Sequence, residues 1–132
     1  MQSNAPTARV AGIIPADLEL PGDLARARRV VGVTDERLVH IGERRPTWQE
    51  FCLAHMAEVL GAPTYLGYRS DRDPRRVEFV AEVGAPKTWL LVAVKSLVSR
   101  QEAWVSTAHP VKPRYLTRRL ATGTMRRAQC GP

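Results

Sequence analysis

The chain has 132 residues, 44% of them hydrophobic, which allows one domain with a buried core and excludes wholesale disorder. Its formal net charge is +7, but residues 84–132 hold nine Lys or Arg and one acid, whereas residues 1–83 hold 11 Arg and 12 acids. A basic excess in one half is typical of a protein that contacts a polyanion such as nucleic acid.

Drift in composition is the alternative explanation of the charge, because 17 of the 20 basic residues are Arg. Drift does not explain why Glu102 is the single acid after Glu82. The longest apolar run, Trp89 to Val94, is far too short to cross a bilayer, and the first residues lack the apolar core of a secretory signal. Two cysteines are too few for a disulfide framework. We therefore expect a cytoplasmic protein without membrane contact.

The first half of the chain predicts two helices after an uneven start. Residues 1–29 contain three prolines among short apolar patches, which predicts an irregular arm or an edge element. A helix is expected after Thr34, a good N-cap followed by two acids, and Pro46 should stop it. A second helix is expected after Thr47, its N-cap, which forms a capping box with Glu50. Gly61 and a nearby proline should end this helix.

From residue 64 onward the apolar residues alternate with a period of two, which predicts strands. Residues 88–94 are apolar on both faces and should form a central strand. Short turns separate the neighbouring segments, as in an antiparallel meander. The four strands are expected at 64–68, 77–83, 88–94 and 101–107, with a further short strand near 28–33.

These elements predict an α+β fold in which two N-terminal helices pack on a four-stranded antiparallel meander sheet. The single domain should span residues 30–120, after the irregular N-terminal arm of residues 1–29. Residues 121–132 are expected to form a flexible basic tail. The sequence contains no internal repeat and no second domain.

Familiar motifs of phosphate and metal chemistry are absent: there is no Walker loop, GxGxxG, GxSxG or HExxH, so we assign no metal and no cofactor. His40 on the first helix can act as a general acid or base at neutral pH, and Lys95, Thr107 and His109 fall at the ends of neighbouring strands. Each has an ordinary alternative, namely a surface histidine, the first solvated lysine after a strand, or a hydroxyl that caps a turn. Their joint placement is more informative, because the first helix and these strand ends can converge on one basic concavity.

Further polar residues around these positions can hold phosphate oxygens, and Arg does so in a bidentate manner that Lys cannot match. The candidates for RNA binding are Arg44, Arg45, Ser106, Lys112, Arg114, Arg118 and Arg119. Cleavage of RNA needs a base for the 2′-hydroxyl, cations for the charge on phosphorus and an acid for the leaving oxygen. None of these three groups has to be a metal.

Two segments, TDERLVHIGERRP on the first helix and AWVSTAHP on the closing strand, give the chain its resemblance to a superfamily of metal-independent nucleases. That superfamily includes barnase, EndoU, the tRNA-cleaving colicins and RelE, and its phage-borne branch is the most similar. The resemblance covers residues 30–119. In that branch the helix carries a His-Ile pair, here His40–Ile41, and then Arg-His-Pro, where this chain has Arg44–Arg45–Pro46. Arg45 therefore replaces a histidine, which puts the activity in question, and His109 is a candidate to restore the acid–base group.

The resemblance implies a ribonuclease, either a toxin or a phage-encoded effector, that cleaves RNA by attack of the 2′-hydroxyl and leaves a cyclic phosphate. RNA, with tRNA as one candidate, is then the substrate. An acidic immunity protein or antitoxin is the natural partner of so basic a surface. Two alternatives stay open: a non-catalytic nucleic-acid-binding module, and a structural or interaction protein of a phage particle.

Overall fold

The computed structural model describes residues 8–43, 46–69, 71–97 and 101–130. Within these residues the helices are α1 (Asp35–Gly42), α2 (Pro46–Gly61) and α3 (Pro113–Thr122), and a short 3-10 helix covers Gly22–Arg26. The strands are β1 (Ala8–Ile13), β2 (Val30–Thr34), β3 (Tyr65–Gly67), β4 (Arg76–Val83), β5 (Thr88–Leu97), β6 (Glu102–Pro110) and β7 (Met125–Arg127).

The strands form one mixed sheet in the order β1-β2-β6-β5-β4-β3-β7. β2 and β6 pair in parallel, whereas the other neighbours pair antiparallel. A parallel pair needs a long connection, and here the chain passes through α1, α2 and three strands before β6 returns beside β2. β5 lies at the centre of the sheet, as its apolar sequence on both faces predicts.

The two faces of β5 belong to two separate cores. Leu90, Val92 and Val94 are fully buried in the larger core, to which α1 and α2 contribute. Leu91 and Ala93, on the opposite face, are fully buried in a smaller core that includes residues of α3 and β7. A strand that is buried on both faces needs a layer on each side, so α3 is a structural requirement of this sheet.

The predicted four-stranded antiparallel meander on two helices is wrong. The described residues form a seven-stranded mixed sheet with three helices, within the expected α+β class. The four expected strands correspond to β3, β4, β5 and β6, and the two expected helices correspond to α1 and α2. The differences lie towards the two ends of the chain. β1 forms within the expected arm, β7 forms within the expected basic tail, and α3 forms at the end of the expected domain, where no helix was expected.

α3 has a narrow buried face, which is why the sequence does not show it as a helix. Only Leu116 and the polar Arg119 are buried along it, so few apolar residues mark its inner face. Its two ends do carry helix signals. Pro113 occupies the first turn, and Gly123, with φ of 78°, adopts the left-handed conformation that follows many helices.

The sequence does not predict β1 and β7 either, for different local reasons. The pairing of β1 with β2 shifts register between Val10 and Gly12, and this bulge interrupts the alternation of apolar residues. β7 has three residues, of which Met125 is buried and Arg126 and Arg127 are exposed. Strands of this kind are defined by their partners in the sheet rather than by their own sequence.

The parallel pair of strands depends on a close approach at Gly32. Gly32 is the register partner of Trp104, and a Cβ atom at this position would lie 2.7 Å from the Trp104 ring. A larger residue in β2 would therefore have to displace the ring. Because residue 32 of β2 is glycine, the ring of Trp104 in β6 can lie against β2 without a steric clash.

Two details of the helices bear on the sequence predictions. The Oγ1 atom of Thr34 accepts a hydrogen bond from the backbone N–H of Arg37 at 3.1 Å, which confirms the predicted N-cap of α1. α2 begins at Pro46, so Thr47, the expected N-cap, lies within the first turn of this helix. Among the described residues, no helix is both long and apolar enough to span a membrane.

Replacing Met125 by Ala tests whether the C-terminal segment is docked on the sheet. The side chain is 2% exposed in the smaller core, so its truncation should lower the free energy of unfolding by about 2–5 kcal/mol. Urea denaturation measures this change. The exposed neighbour is the control, since Arg126→Ala should change stability by no more than about 0.5 kcal/mol. Equally small effects of both changes would contradict the docked strand.

Candidate active site

A groove of about 1030 Å³ opens at the edge of β6. β2 pairs only with the first residues of β6. The later residues of β6 extend beyond this pairing towards the groove. The ends of α1 and β6 and the starts of α2, β5 and α3 contribute to the lining. Three of the four predicted catalytic residues, His40, Thr107 and His109, line it together with Lys112. The fold therefore brings residues from both halves of the chain to one concave surface.

His40 reaches the groove from the last turn of α1. Its side chain is 64% exposed, and its Nδ1 atom lies 3.4 Å from an Oε2 atom of Glu43, which also lines the groove. When the ring is protonated, this carboxylate can pair with it. The exposed imidazole is thus placed to exchange a proton with a molecule in the groove.

A β-bulge in β6 determines on which face of the sheet the other two catalytic candidates, Thr107 and His109, lie. Val105 and Ala108 both face the larger core although they are three positions apart, because Ser106 is an extra residue opposite β5. In a regular strand, residues on one face are separated by even numbers of positions. Without the bulge, Thr107 and His109 would point to the same side as Val105. With it they lie on the opposite face, and His109 is exposed.

A hydrogen bond to the backbone selects the tautomer of His109. Its Nδ1 atom lies 3.0 Å from the carbonyl oxygen of Pro110. A carbonyl oxygen only accepts, so this bond requires a proton on Nδ1 and leaves the lone pair of the neutral ring on Nε2. A free Nε2 lone pair is the group that takes a proton from a hydroxyl in general base catalysis.

Two lysines supply positive charge to the same groove: Lys87, just before β5, and Lys112, just before α3. Within the described part of the chain, neither lysine has an ion-pair partner. Trp48 and Trp89 add aromatic surface, on which the bases of a single strand can stack. Sequence reasoning missed Lys87 and both tryptophans, because a turn lysine and tryptophans in apolar patterns carry no local sign of a site.

Lys95 is not brought to the groove. It lies within β5, which continues to Leu97, and its Nζ atom is 3.1 Å from an Oδ2 atom of Asp73. Desolvation acts to raise the pKa of Asp73, but hydrogen bonds from Lys95 and from the backbone of Arg75, with the charges of both, lower it below its usual value. Lys95 therefore stabilises a carboxylate close to the start of β4.

The predicted RNA-binding residues are dispersed over the surface. Lys112 lines the groove, whereas the hydroxyl of Ser106 donates to a backbone carbonyl of β5 at 3.4 Å. Arg114 and Arg118 are exposed on the outer side of α3. Two of the predicted residues lie outside the described part of the chain, Arg44 and Arg45.

Arg119 is 3% exposed, and its guanidinium attaches α3 to the sheet. Its Nη2 atom lies 2.8 Å from an Oε1 atom of Glu78 in β4, and other nitrogens donate to Tyr115 and Thr124. Burial acts to lower the pKa of the guanidinium, but the hydrogen bond and charge of Glu78 outweigh it, so the pKa is raised. The donors of Arg119 are therefore engaged inside the protein.

Replacing Arg119 by Met should lower the free energy of unfolding by about 3 kcal/mol, because Glu78 loses its closest partner in a mostly buried position. The neighbouring Arg76 keeps a longer contact with Glu78, at 3.6 Å, which limits the loss. Arg118→Met is the matched control, since Arg118 is exposed and its loss should cost less than about 0.5 kcal/mol. Urea denaturation of the two variants measures the difference, and equal stabilities would contradict the structural role of Arg119.

Comparison of the chain with protein-family models, with curated proteins and with solved structures finds no match. Among the described residues, no group of three or more His, Cys, Asp or Glu is arranged to hold a metal ion. The fold and the groove together define an α+β domain with an edge groove that contains two histidines. Its other charged lining residues are two lysines, Lys87 and Lys112, and two carboxylates, Glu43 and Glu82.

Proposed function

We propose that the protein is a metal-independent RNA endonuclease whose active site is the edge groove. The observation that carries this proposal is the convergence of His40, Thr107 and His109 with Lys87 and Lys112 in one groove. Cleavage of RNA by its own 2′-hydroxyl requires a base, an acid and positive charge beside the phosphate. The groove contains side chains suited to all three tasks.

In the proposed reaction, the Nε2 atom of His109 takes the proton of the 2′-hydroxyl while the 2′-oxygen bonds to the adjacent phosphorus. The bond from phosphorus to the 5′-oxygen breaks, and protonated His40 supplies a proton to that oxygen. The products are a 2′,3′-cyclic phosphate and a 5′-hydroxyl. His109 is assigned as the base because its bond to Pro110 leaves Nε2 free, and Glu43 can pair with the protonated His40.

Charge accumulates on the phosphate oxygens as the 2′-oxygen attacks. Lys87 and Lys112 oppose this charge, and the hydroxyl of Thr107 can donate a hydrogen bond to a phosphate oxygen. The resemblance to phage-borne nucleases supports His40 as one of the acid–base groups. Arg45 stands where those nucleases have a second histidine, and in this proposal His109 takes over its task.

The proposal extends to the biological setting. A nuclease that acts on cellular RNA, with tRNA as a candidate substrate, would work in the cytoplasm as a toxin or phage-encoded effector. The cell that makes it would need an inhibitor. Because residues 84–132 carry nine basic residues and one acid, an acidic immunity protein or antitoxin is the partner that complements this charge.

The direct test is incubation of the purified protein with total RNA in the presence of EDTA. Cleavage should proceed and leave cyclic phosphate ends, which mass spectrometry of the fragments detects. His40→Gln and His109→Gln should each lower the cleavage rate by about 100-fold or more, because each removes one proton-transfer group. His55→Gln is the matched control, since His55 lies on α2 and does not line the groove; it should retain the wild-type rate.

Cleavage that appears only after a metal is added would refute the mechanism, and full activity of both groove variants would refute the site. Salt-sensitive RNA binding with no product would identify the alternative, a non-catalytic nucleic-acid-binding module.

The two groove lysines give a separate test, in which Lys95 is the control. The double variant Lys87→Gln/Lys112→Gln should lower the cleavage rate by roughly 10-fold or more, because it removes the charge that opposes the developing phosphate charge. Lys95→Gln removes a charge that is paired with Asp73, away from the groove, and should change the rate less than about threefold. Equal losses in rate would mean that overall charge, rather than the groove, determines activity.

A further inference from the structure

A second cavity, of about 370 Å³, lies on the sheet face that α3 covers. It shares no lining residue with the edge groove. The turn before β4 forms one wall, and α3 contributes Tyr115 and Arg119 to another. The charged side chains of its lining are Arg69, Arg72, Asp73, Arg76, Glu78 and Arg119. Four arginines against two carboxylates leave two positive charges in excess.

Both carboxylates are already neutralised by other side chains. Glu78 is held by Arg119 at 2.8 Å and by Arg76 at 3.6 Å. Asp73 is held by Lys95 at 3.1 Å and lies 3.8 Å from Arg75. These pairs neutralise the acids but do not involve the two remaining arginines.

Arg69 and Arg72 carry the unbalanced charge of the cavity. In the described part of the chain, neither guanidinium has an ion-pair partner. The backbone carbonyl of Arg69 accepts hydrogen bonds from the N–H groups of Arg72, at 3.1 Å, and Asp73, at 3.0 Å, so both arginines belong to one closed turn. The carboxylate of Asp73 fixes the end of this turn by accepting from the N–H of Arg75 at 3.1 Å. These backbone hydrogen bonds hold Arg72 and Asp73 close to Arg69, which reduces the entropy cost of binding a ligand with both arginines.

We propose that this cavity binds the phosphate group of a nucleotide through Arg69 and Arg72. Guanidinium groups recognise phosphate oxygens through paired N–H donors, and two of them on one turn can hold a single phosphate. Tyr68 and Tyr115 also line the cavity and offer aromatic surface to a base. The volume lies within the range of pockets that hold small molecules. Arg119 and Glu78 form part of the fixed wall, since their polar atoms are engaged with each other and with α3.

The nucleotide can come from two sources that share this chemistry: a free nucleotide, or one unit of an RNA strand. α3 connects the two sites, because Pro113 lines the groove while Arg119 lines the cavity. Six residues of helix span about 9 Å, so a strand in the groove could reach the cavity within a few nucleotides. Binding of a free nucleotide in the cavity requires no catalytic activity in the groove, so this proposal does not depend on the proposed function.

The test is isothermal titration calorimetry of AMP and of inorganic phosphate at about 0.15 M salt, where surface attraction is screened. AMP should bind the wild-type protein, and the variant Arg69→Gln/Arg72→Gln should bind it at least tenfold more weakly. Arg114→Gln/Arg118→Gln removes the same charge from the exposed side of α3 and should leave the affinity within about twofold. Phosphate should compete with AMP and show the same dependence on the two cavity arginines.

A 2′-O-methyl RNA oligonucleotide, which cannot undergo 2′-hydroxyl attack, distinguishes the two sources. If the cavity variant also binds this oligonucleotide at least tenfold more weakly than the wild-type protein, the bound nucleotide is part of a strand. If only AMP binding is lost, the ligand is a free nucleotide. Absence of AMP and phosphate binding to the wild-type protein, or equal losses in the cavity variant and its control, would overturn the proposal. The variant His40→Gln/His109→Gln should bind AMP normally, which separates a failure of this site from a failure of the groove.

Discussion

The burial of β5 on both faces is the constraint from which the rest of the structure follows. Its five consecutive residues from Leu90 to Val94 are buried, so the sheet must be covered on both sides. The first half of the chain covers one side with α1 and α2. On the other side, the covering residues Leu116 and Met125 come from the chain after β6, which belongs to the basic part of the sequence. The packing of the core therefore places α3 beside the sheet, with Pro113 at the groove and Arg119 at the second cavity.

The bulge at Ser106 has a similar effect on a smaller scale. One additional residue in β6 reverses the sides to which the following side chains point. Ala108 takes the buried position, and His109 becomes exposed at the groove. A strand that contributes to the core along its first part thus contributes to the surface chemistry along its last part. The groove exists at this edge because β2 accompanies β6 only over its beginning.

The sequence was sufficient for those elements whose signals are local. Alternation in β4, the apolar run of β5 and the cap at Thr34 all predicted what the structure contains. Elements whose burial depends on distant partners were not predictable: β1 contains a bulge, β7 has three residues, and α3 buries an arginine.

The candidate site shows the same division. His40, Thr107 and His109 were expected to converge, and they do line one groove. Lys95 and Arg119 were assigned to chemistry, but their carboxylate partners, Asp73 and Glu78, are 22 and 41 positions away in the sequence. No local pattern shows such a partner, because a lysine or arginine at a strand or helix position looks the same whether its charge is neutralised or available. Burial and pairing, which the sequence does not display, decide the role of each basic side chain.

β7 has a consequence for how molecules of this protein meet in solution. It is the last strand of the sheet, and an outer strand with a free edge can pair with the same strand of another molecule. In an antiparallel pair centred on Arg126, the two copies of this arginine would stand opposite each other and repel. Repulsion between two opposed arginines disfavours growth of the sheet from one molecule into the next.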